Sequence, residues 1–305
     1  MVNRREKSKL HGYTNSDRLF FIIVYIVMIY VLVVTLYPLY FTIIASFSDP
    51  AEVAMGRTFL YPRGIQFNGF TRVFTYPYIW SSYRNTIYYA AVGTAIGLFC
   101  TLTAGFVFSR KGLVGSRLCM LAILFTMYFS GGLIPTYFNV RNLGLLNTPW
   151  ALWLPGAISG FNLILARTFI QTTIPDELDE AAVMDGCSQI RYFLRVVIPL
   201  SKPLIAVLAL FMVVGYWNSF FEALIYFKDR DMFPLQLILR EILVQAIVSA
   251  ADLANFDPEQ IRSMSDLAES LKYALIIVSS VPILLIYPFF QRFFVKGVMI
   301  GSVKG

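Results

Sequence analysis

The stretch DELDEAAVMDGCSQIRYFLRVVIP, residues 176–199, places five acids between Asp176 and Asp185 in a chain whose other long runs are apolar. Those runs suit lipid; this segment suits contact in water. Thr173 and Pro175 followed by Asp176 and Glu177 mark a helix start, with acids at the positive end of the helix dipole. Leu178, Ala181, Ala182 and Asp185 then share one face, and Gly186 stands where a left-handed C-cap is expected. Ser188 can cap a second helix with Ile190, Phe193, Leu194 and Val197 on one side and Arg191 and Arg195 elsewhere, closed by Pro199 and Pro203. A short helix with alanines at its centre can sit deep in a cleft of another protein, and acids around it can pair with bases on the rim. The competing reading is an amphipathic connection resting on headgroups, and four acids beside an anionic leaflet argue against it.

Working outward, the whole chain has 305 residues, 57% hydrophobic and only 14% charged, and a mean hydropathy of +0.66. That balance belongs to a membrane protein rather than a soluble domain. The net charge of +7 does not point to nucleic acid, because the bases sit at the ends of apolar runs instead of forming one stripe. Three cysteines without CxxC spacing give neither a disulfide framework nor a thiolate metal site. The single histidine, His11, has no neighbours that would complete a site.

A bilayer core takes roughly 20 helical residues to cross. Six segments qualify, at about 19–44, 85–108, 118–140, 148–170, 203–227 and 273–295, so the chain reads as an all-α polytopic membrane protein. The first apolar run is too long for a cleavable signal and reads as an uncleaved membrane helix. An even number of spans puts both termini on one side. The positive-inside rule makes that side the cytoplasm, from Arg4, Arg5, Lys7, Lys9 and Arg18, then Arg110, Lys111 and Arg117, then Arg292, Lys296 and Lys304. The expected organisation is a cytoplasmic segment 1–18, a six-helix permease domain 19–295, and a cytoplasmic tail 296–305. Within that domain, 171–202 is cytoplasmic and 228–272 lies outside. The outer loop holds PLQLILREILVQAIV, too short for a seventh span and suited to a helix in the membrane interface or against a partner. Gly93 with Gly97, and Gly156 with Gly160, have the spacing of close helix contacts and carry no functional weight.

The absences narrow the function. No Gly-Lys dipeptide occurs, so no Walker A loop can cradle a nucleotide here. With one histidine, neither a Ser/His/Asp triad nor an HExxH site can be assembled, and enzymatic chemistry is not expected. Glu222 is the only acid well inside a span, thin support for an ion-coupled carrier. That carrier, and a membrane scaffold or sensor without transport, stay open on the residues alone.

The 176–199 stretch resembles permease subunits of binding-protein-dependent ABC importers. Their pattern is Glu-Ala-Ala, three residues, Gly, nine residues, then Ile-x-Leu-Pro. Glu180-Ala181-Ala182, Gly186 and Val196-Val197-Ile198-Pro199 match it at the right spacing, with Val196 for Ile and Ile198 for Leu as aliphatic departures. Asp185 before Gly186 is also typical. RNLGLLNTPWALWLP, 141–155, is similar to the loop entering the fourth span of sugar-importer permeases, and KGVMIGSVKG, 296–305, to the tail of the maltose-transporter type. GYWNSFFEALIY, 215–226, is similar to the branch handling complex oligosaccharides.

The resemblance implies a carbohydrate importer of a bacterial cell membrane in which Asp176, Glu177, Glu180, Ala181, Ala182, Asp185, Gly186 and Pro199 form a coupling segment seated on a separate ATPase. It implies that Gly301, Lys304 and Gly305 of the tail also reach the ATPase dimer. ATP and magnesium would be bound there, with no cofactor in this chain. The implied partners are a homologous permease, two ATPase subunits, an extracytoplasmic solute-binding protein, lipid, and a carbohydrate substrate. Tyr216, Trp217, Asn218 and Glu222 are the residues expected along the substrate path, since aromatic faces stack on sugar rings and amide or acid groups hydrogen-bond them. The competing reading of the two aromatics is an interfacial belt. A non-sugar solute remains open.

Overall fold

A computed structural model describes residues 14–251 and 258–301. Among them every regular element is helical. The chain divides into two compact units, Met1–Thr71 with Ser249–Ile277, and Arg72–Val248 with Val278–Gly305.

In the first unit, α1 (Asn15–Ser46) begins with a reciprocal cap: the Thr14 hydroxyl accepts from the Asp17 amide at 3.3 Å, and the Asp17 carboxylate accepts from the Thr14 amide at 2.9 Å. From Leu19 to Leu36 its side chains are almost all exposed and apolar, as a lipid-facing helix requires. A short α2 (Pro50–Ala54) is capped by Asp49, which accepts from the Ala51 amide at 2.9 Å. α3 (Asn68–Thr75) begins where Phe47 stacks on Phe70 with ring centroids 5.0 Å apart.

The second unit is organised on α4 (Ile79–Ser109), which packs against α8 (Gly160–Thr173) and α12 (Lys202–Trp217). Glycines make these approaches possible. A Cβ at Gly93 would stand 2.4 Å from Tyr216 Cζ, one at Gly97 2.9 Å from Met212 Sδ, and one at Gly105 2.8 Å from Ala166 Cβ. Gly160 meets Met127 in the same way at 2.7 Å, whereas Gly156 has nothing nearer than 3.8 Å. Around these contacts Leu102, Ala166, Leu204 and Leu208 form one buried cluster.

The spans differ in continuity from the sequence expectation. Ser16–Ser46, Ile79–Ser109 and Ser263–Gln291 are long and apolar enough to cross a bilayer alone; counting each sharply bent pair as one span gives up to five. The stretch expected as one span at 118–140 is α5 (Ser116–Tyr128) and α6 (Leu133–Asn142), bent by 116°. Gly132, at φ +86°, permits that break. The stretch at 148–170 is α7 (Trp150–Trp153) and most of α8, parted at Pro155-Gly156.

Further along lie α9 (Asp176–Met184), α10 (Gln189–Tyr192), a π turn (Phe193–Val197) and α11 (Ile198–Leu200), with a 79° bend before α12. Pro199 accounts for the π turn, because its ring cannot face the carbonyl four residues back; Ile198 donates instead to the Phe193 carbonyl. α13 (Phe221–Tyr226), a 3₁₀ turn (Arg230–Met232), α14 (Leu235–Ala251) and α15 (Pro258–Gly301) complete the order.

Helix α14 corrects one expectation. Leu235, Leu237, Ile238, Leu239 and Ile242 are buried within this chain, rather than presented to lipid headgroups or a partner. Polar residues of α4 explain its anchorage. Asn85 donates to the Asp231 and Phe233 carbonyls, Tyr89 to the Met232 carbonyl at 2.8 Å, and Thr86 accepts from the Leu235 amide at 2.7 Å. These bonds give partners to the Asp231, Met232 and Phe233 carbonyls and to the Leu235 amide.

Candidate functional site: the acidic helix and its seat

α9 has three acids in its first turn, Asp176, Glu177 and Asp179, and Pro175 as its N-cap. Its end is a Schellman motif. The Cys187 amide donates to the Ala182 carbonyl at 2.9 Å and the Gly186 amide to the Val183 carbonyl at 3.0 Å, with Gly186 at φ +67°. An added Cβ at Gly186 would meet nothing within 4 Å, so glycine is required here by backbone conformation and not by space. Ser188 then caps α10, its hydroxyl accepting from the Arg191 amide at 3.4 Å.

Ala182 and Cys187 pack on the buried cluster of Ile170, Ile174, Tyr192 and Val197. The inward edge of α9 is therefore Asp179 and Ala182, three residues apart, and not the whole expected face. Leu178, Ala181 and Asp185 are exposed, as are Glu177, Glu180 and Met184, Met184 at 87% exposure. The expected face of the second helix splits likewise. Phe193 and Val197 turn inward while Ile190 and Leu194 stay exposed, because the π turn changes the angular spacing between them. Pro199 is exposed at the bend.

One arginine ties this segment to the central helix. Arg110, the C-cap of α4, reaches Asp179 at 2.5 Å and Gln189 at 2.5 Å, and its guanidinium lies over the rings of Phe106 and Tyr192 at 4.4 and 5.1 Å. A planar, forked cation can make all of these contacts at once. The second Asp179 oxygen is buried without a hydrogen-bond partner, so this carboxylate depends on Arg110. Lys111 pairs with Asp176, whose hydrogen bond and charge hold the lysine above its ordinary pKa. From α8, Arg167 and Gln171 donate to the Phe108 and Ser109 carbonyls at 3.0 and 3.2 Å, satisfying the last turn of α4. Between these groups lies a cavity of about 380 Å³ lined by Lys111, Asp176, Asp179, Glu180 and Tyr192.

The residues expected along a substrate path separate. Tyr216, Asn218 and Glu222 line a cavity of about 630 Å³, together with Thr136 beyond the α5–α6 break, Asn162 of α8 and Tyr226 of α13. Trp217 does not line it. Its ring is buried at 3% exposure and its indole N–H donates to the Ser279 carbonyl at 2.9 Å, since the next residue along a helix points about 100° away. In the tail, Gly301 is the last residue of α15, and Lys304 and Gly305 lie outside the described residues.

Sequence reading missed Arg110, Asp179 and Gln189. Asp179 and Ala182 carry one signal, their spacing on one helix edge; Arg110 stands in a basic loop whose sequence signal is topological alone. The 141–155 stretch holds a further device. Asn147, at φ +58°, accepts from the Lys228 and Asp229 amides at 2.9 and 3.2 Å and donates to the Asp229 carboxylate at 2.6 Å.

The acid-edged helix on its bent connection, braced by an arginine from the central helix, belongs to an all-helical chain with three to five candidate membrane spans among the described residues. The chain belongs to the family described as binding-protein-dependent transport system inner membrane component, which matches residues 106–300. Protein LplC of Bacillus subtilis strain 168 is 41% identical over 89% of this chain and 90% of that one. The polygalacturonan/rhamnogalacturonan transport system permease protein YtcP of the same organism is 36% identical over 95% of this chain and 100% of that one. A crystal structure of a bacterial ABC transporter involved in import of the acidic polysaccharide alginate contains a chain that superposes with a TM-score of 0.80 at 32% identity, covering 92% of this chain and 99% of that one.

Proposed function

We propose that this chain is one of two homologous permease subunits of an ATP-driven importer that takes up an oligosaccharide delivered by an extracytoplasmic solute-binding protein. In this reading the chain crosses a bacterial cell membrane six times with both termini in the cytoplasm, and the broken α5–α6 and α7–α8 stretches serve as interrupted spans. ATP and magnesium bind to two separate ATPase subunits. The observation that carries the reading is the geometry of α9: one edge fastened to α4 through Arg110–Asp179, with Glu177, Ala181 and Met184 presented outward and Glu180 exposed at the rim of the seat. A helix held at its C-cap and along one edge moves as a rigid body. Closure of an ATPase pair against its free edge would then shift α4, and with it the helices that α4 holds, between inward- and outward-facing packings.

The carbohydrate cargo is supported by the YtcP relative and the alginate importer, and by a cavity lined by Tyr216 and Tyr226 together with the hydrogen-bonding side chains Asn162, Asn218 and Glu222. Trp217 is left out of that path. Family membership favours this reading over an ion-coupled carrier.

The test is uptake by cells or proteoliposomes carrying the assembled transporter. Glu180→Arg should abolish ATP-dependent uptake and weaken ATPase co-purification while the chain still inserts in the membrane. Uptake that survives ATP depletion would refute the ATP-driven reading. Calorimetric titration of the solute-binding protein with an oligosaccharide panel tests the cargo, and failure of every sugar to bind would overturn that part alone.

A further inference from the structure

A third cavity, of about 780 Å³, opens where the ends of α4, α5 and α8 meet. Four basic residues line it, Arg110, Lys111, Arg117 and Arg167, with no aspartate or glutamate among its walls. Arg110 and Lys111 are engaged by the acids of α9. Arg117 and Arg167 have no carboxylate partner among the described residues; Arg167 uses only its Nε, on the Phe108 carbonyl. An arginine on a helix of a membrane domain is costly unless an anion or a wet cavity receives it. α5 adds to the same sign, since its first turn carries no acid and its N-cap, Gly115, supplies no side chain.

The remaining walls are of another kind. Leu113, Met120, Leu121, Leu124 and Ile164 form an apolar flank that continues from the basic floor, and Leu121 and Leu124 are 54% and 40% exposed. A free inorganic anion would fill the floor and leave that flank bare. A molecule with an anionic phosphodiester at one end and hydrocarbon at the other matches both halves.

We propose that this cavity is a binding site for one anionic phospholipid, its phosphate held between Arg117 and Arg167 and its acyl chains lying along Leu121 and Leu124. The site shares Arg110 and Lys111 with the seat of α9, so an occupied cavity touches the end of α4 where α9 is fastened. Basic crevices between membrane helices take anionic headgroups by the same physics, near-surface attraction combined with desolvated hydrocarbon.

The test is native mass spectrometry of the transporter in detergent after incubation with phosphatidylglycerol or phosphatidylcholine. The wild-type protein should retain phosphatidylglycerol and not phosphatidylcholine. Arg117→Gln and Arg167→Gln should each weaken retention about fivefold, while Arg141→Gln, outside the cavity, should not. Arg117 is exposed, so its variant folds and keeps the test decisive even if Arg167→Gln does not. Equal retention by wild type and both variants, or equal retention of the two lipids, would overturn the site. Inorganic phosphate is the second probe. If it raises the melting temperature as much as phosphatidylglycerol does and both effects vanish in Arg117→Gln, the cavity takes a soluble anion and the lipid assignment fails. Sugar uptake is not the readout, so a negative result leaves the proposed function standing.

Discussion

The acidic helix α9 and the cavity beside α12 differ in how the chain builds them. α9 is built almost wholly by residues within a dozen positions of one another: its first-turn acids, its alanines, its Gly186 cap and Ser188 beyond it. The cavity draws Thr136, Asn162, Tyr216, Asn218, Glu222 and Tyr226 from four separate elements and one break. Features built locally keep their place in the structure; the site assembled across the fold keeps Tyr216, Asn218 and Glu222 in one cavity and loses Trp217. Even inside α9 the non-local contacts, Arg110 to Asp179 and Lys111 to Asp176, lie beyond a local reading.

Breaking that contact should have the largest effect. Arg110→Ala removes the ion pair with Asp179, the bond to Gln189 and the stacking on Phe106 and Tyr192, leaving a carboxylate whose other oxygen already lacks a partner. A loss of about 3 kcal/mol in the docking of α9 is expected. Hydrogen exchange across 176–187 should rise and uptake should fall by at least an order of magnitude with the chain still inserted. Adding Asp179→Ala, which removes the stranded carboxylate, should restore part of the protection. If the double variant is looser than Arg110→Ala alone, the tether is misassigned.

The cavity side can be broken without touching α9. Gly93→Ala puts a methyl 2.4 Å from the Tyr216 ring, and overpacking of this kind costs about 2 kcal/mol. Tyr216 must swing, so uptake should fall through a changed apparent affinity for solute while exchange at 176–187 stays as in the wild type. Equal loosening of both regions would mean that they are one cooperative body rather than two separable sites.

The same division governs how much of the fold could be read. Hydropathy is enough to locate α1 and α4, because a run of apolar residues from Leu19 onward has one physical use in a long helix. It could not find the break at Gly132 or the parting at Pro155-Gly156, since a window average stays apolar across a glycine that turns the chain. α14 was misplaced for a related reason: an amphipathic helix declares that one face is apolar, not whether lipid, a partner or its own chain will cover it. Trp217 shows the limit at a single residue. Aromatic content marked the stretch, but only the position of Ser279 decides which ring turns away from the cavity.

Gly186 tests the locally encoded half. With nothing within 4 Å of its missing Cβ, Gly186→Ala introduces no clash, and its whole cost is a left-handed backbone, about 1 kcal/mol. Thermal stability of the whole protein should hardly move, yet exchange at the Gly186 and Cys187 amides, which close the cap, should rise about fivefold. Gly186→Asn, which tolerates this conformation better, should fall between. A ranking in which Asn is worse than Ala would show that shape, not backbone, constrains the position.

The smallest effect belongs to Lys111. Its pair with Asp176 is exposed, 82% and 62% at the two side chains, so water and salt screen it. The lysine pKa is raised in the folded protein, chiefly by the hydrogen bond that Lys111 donates to Asp176, and a raised pKa fixes the sign of the pH dependence. The contribution is complete below the ordinary lysine value of 10.5 and disappears as pH climbs through the higher folded value. Across neutral pH, then, Lys111→Met should change exchange at the start of α9 slightly, by the same amount at every pH, and the difference should close at high salt. A pH dependence of that difference near neutrality would require another titrating group beside Asp176, and the exposed pair would have to be redrawn as part of a larger network with Glu177 and Glu180.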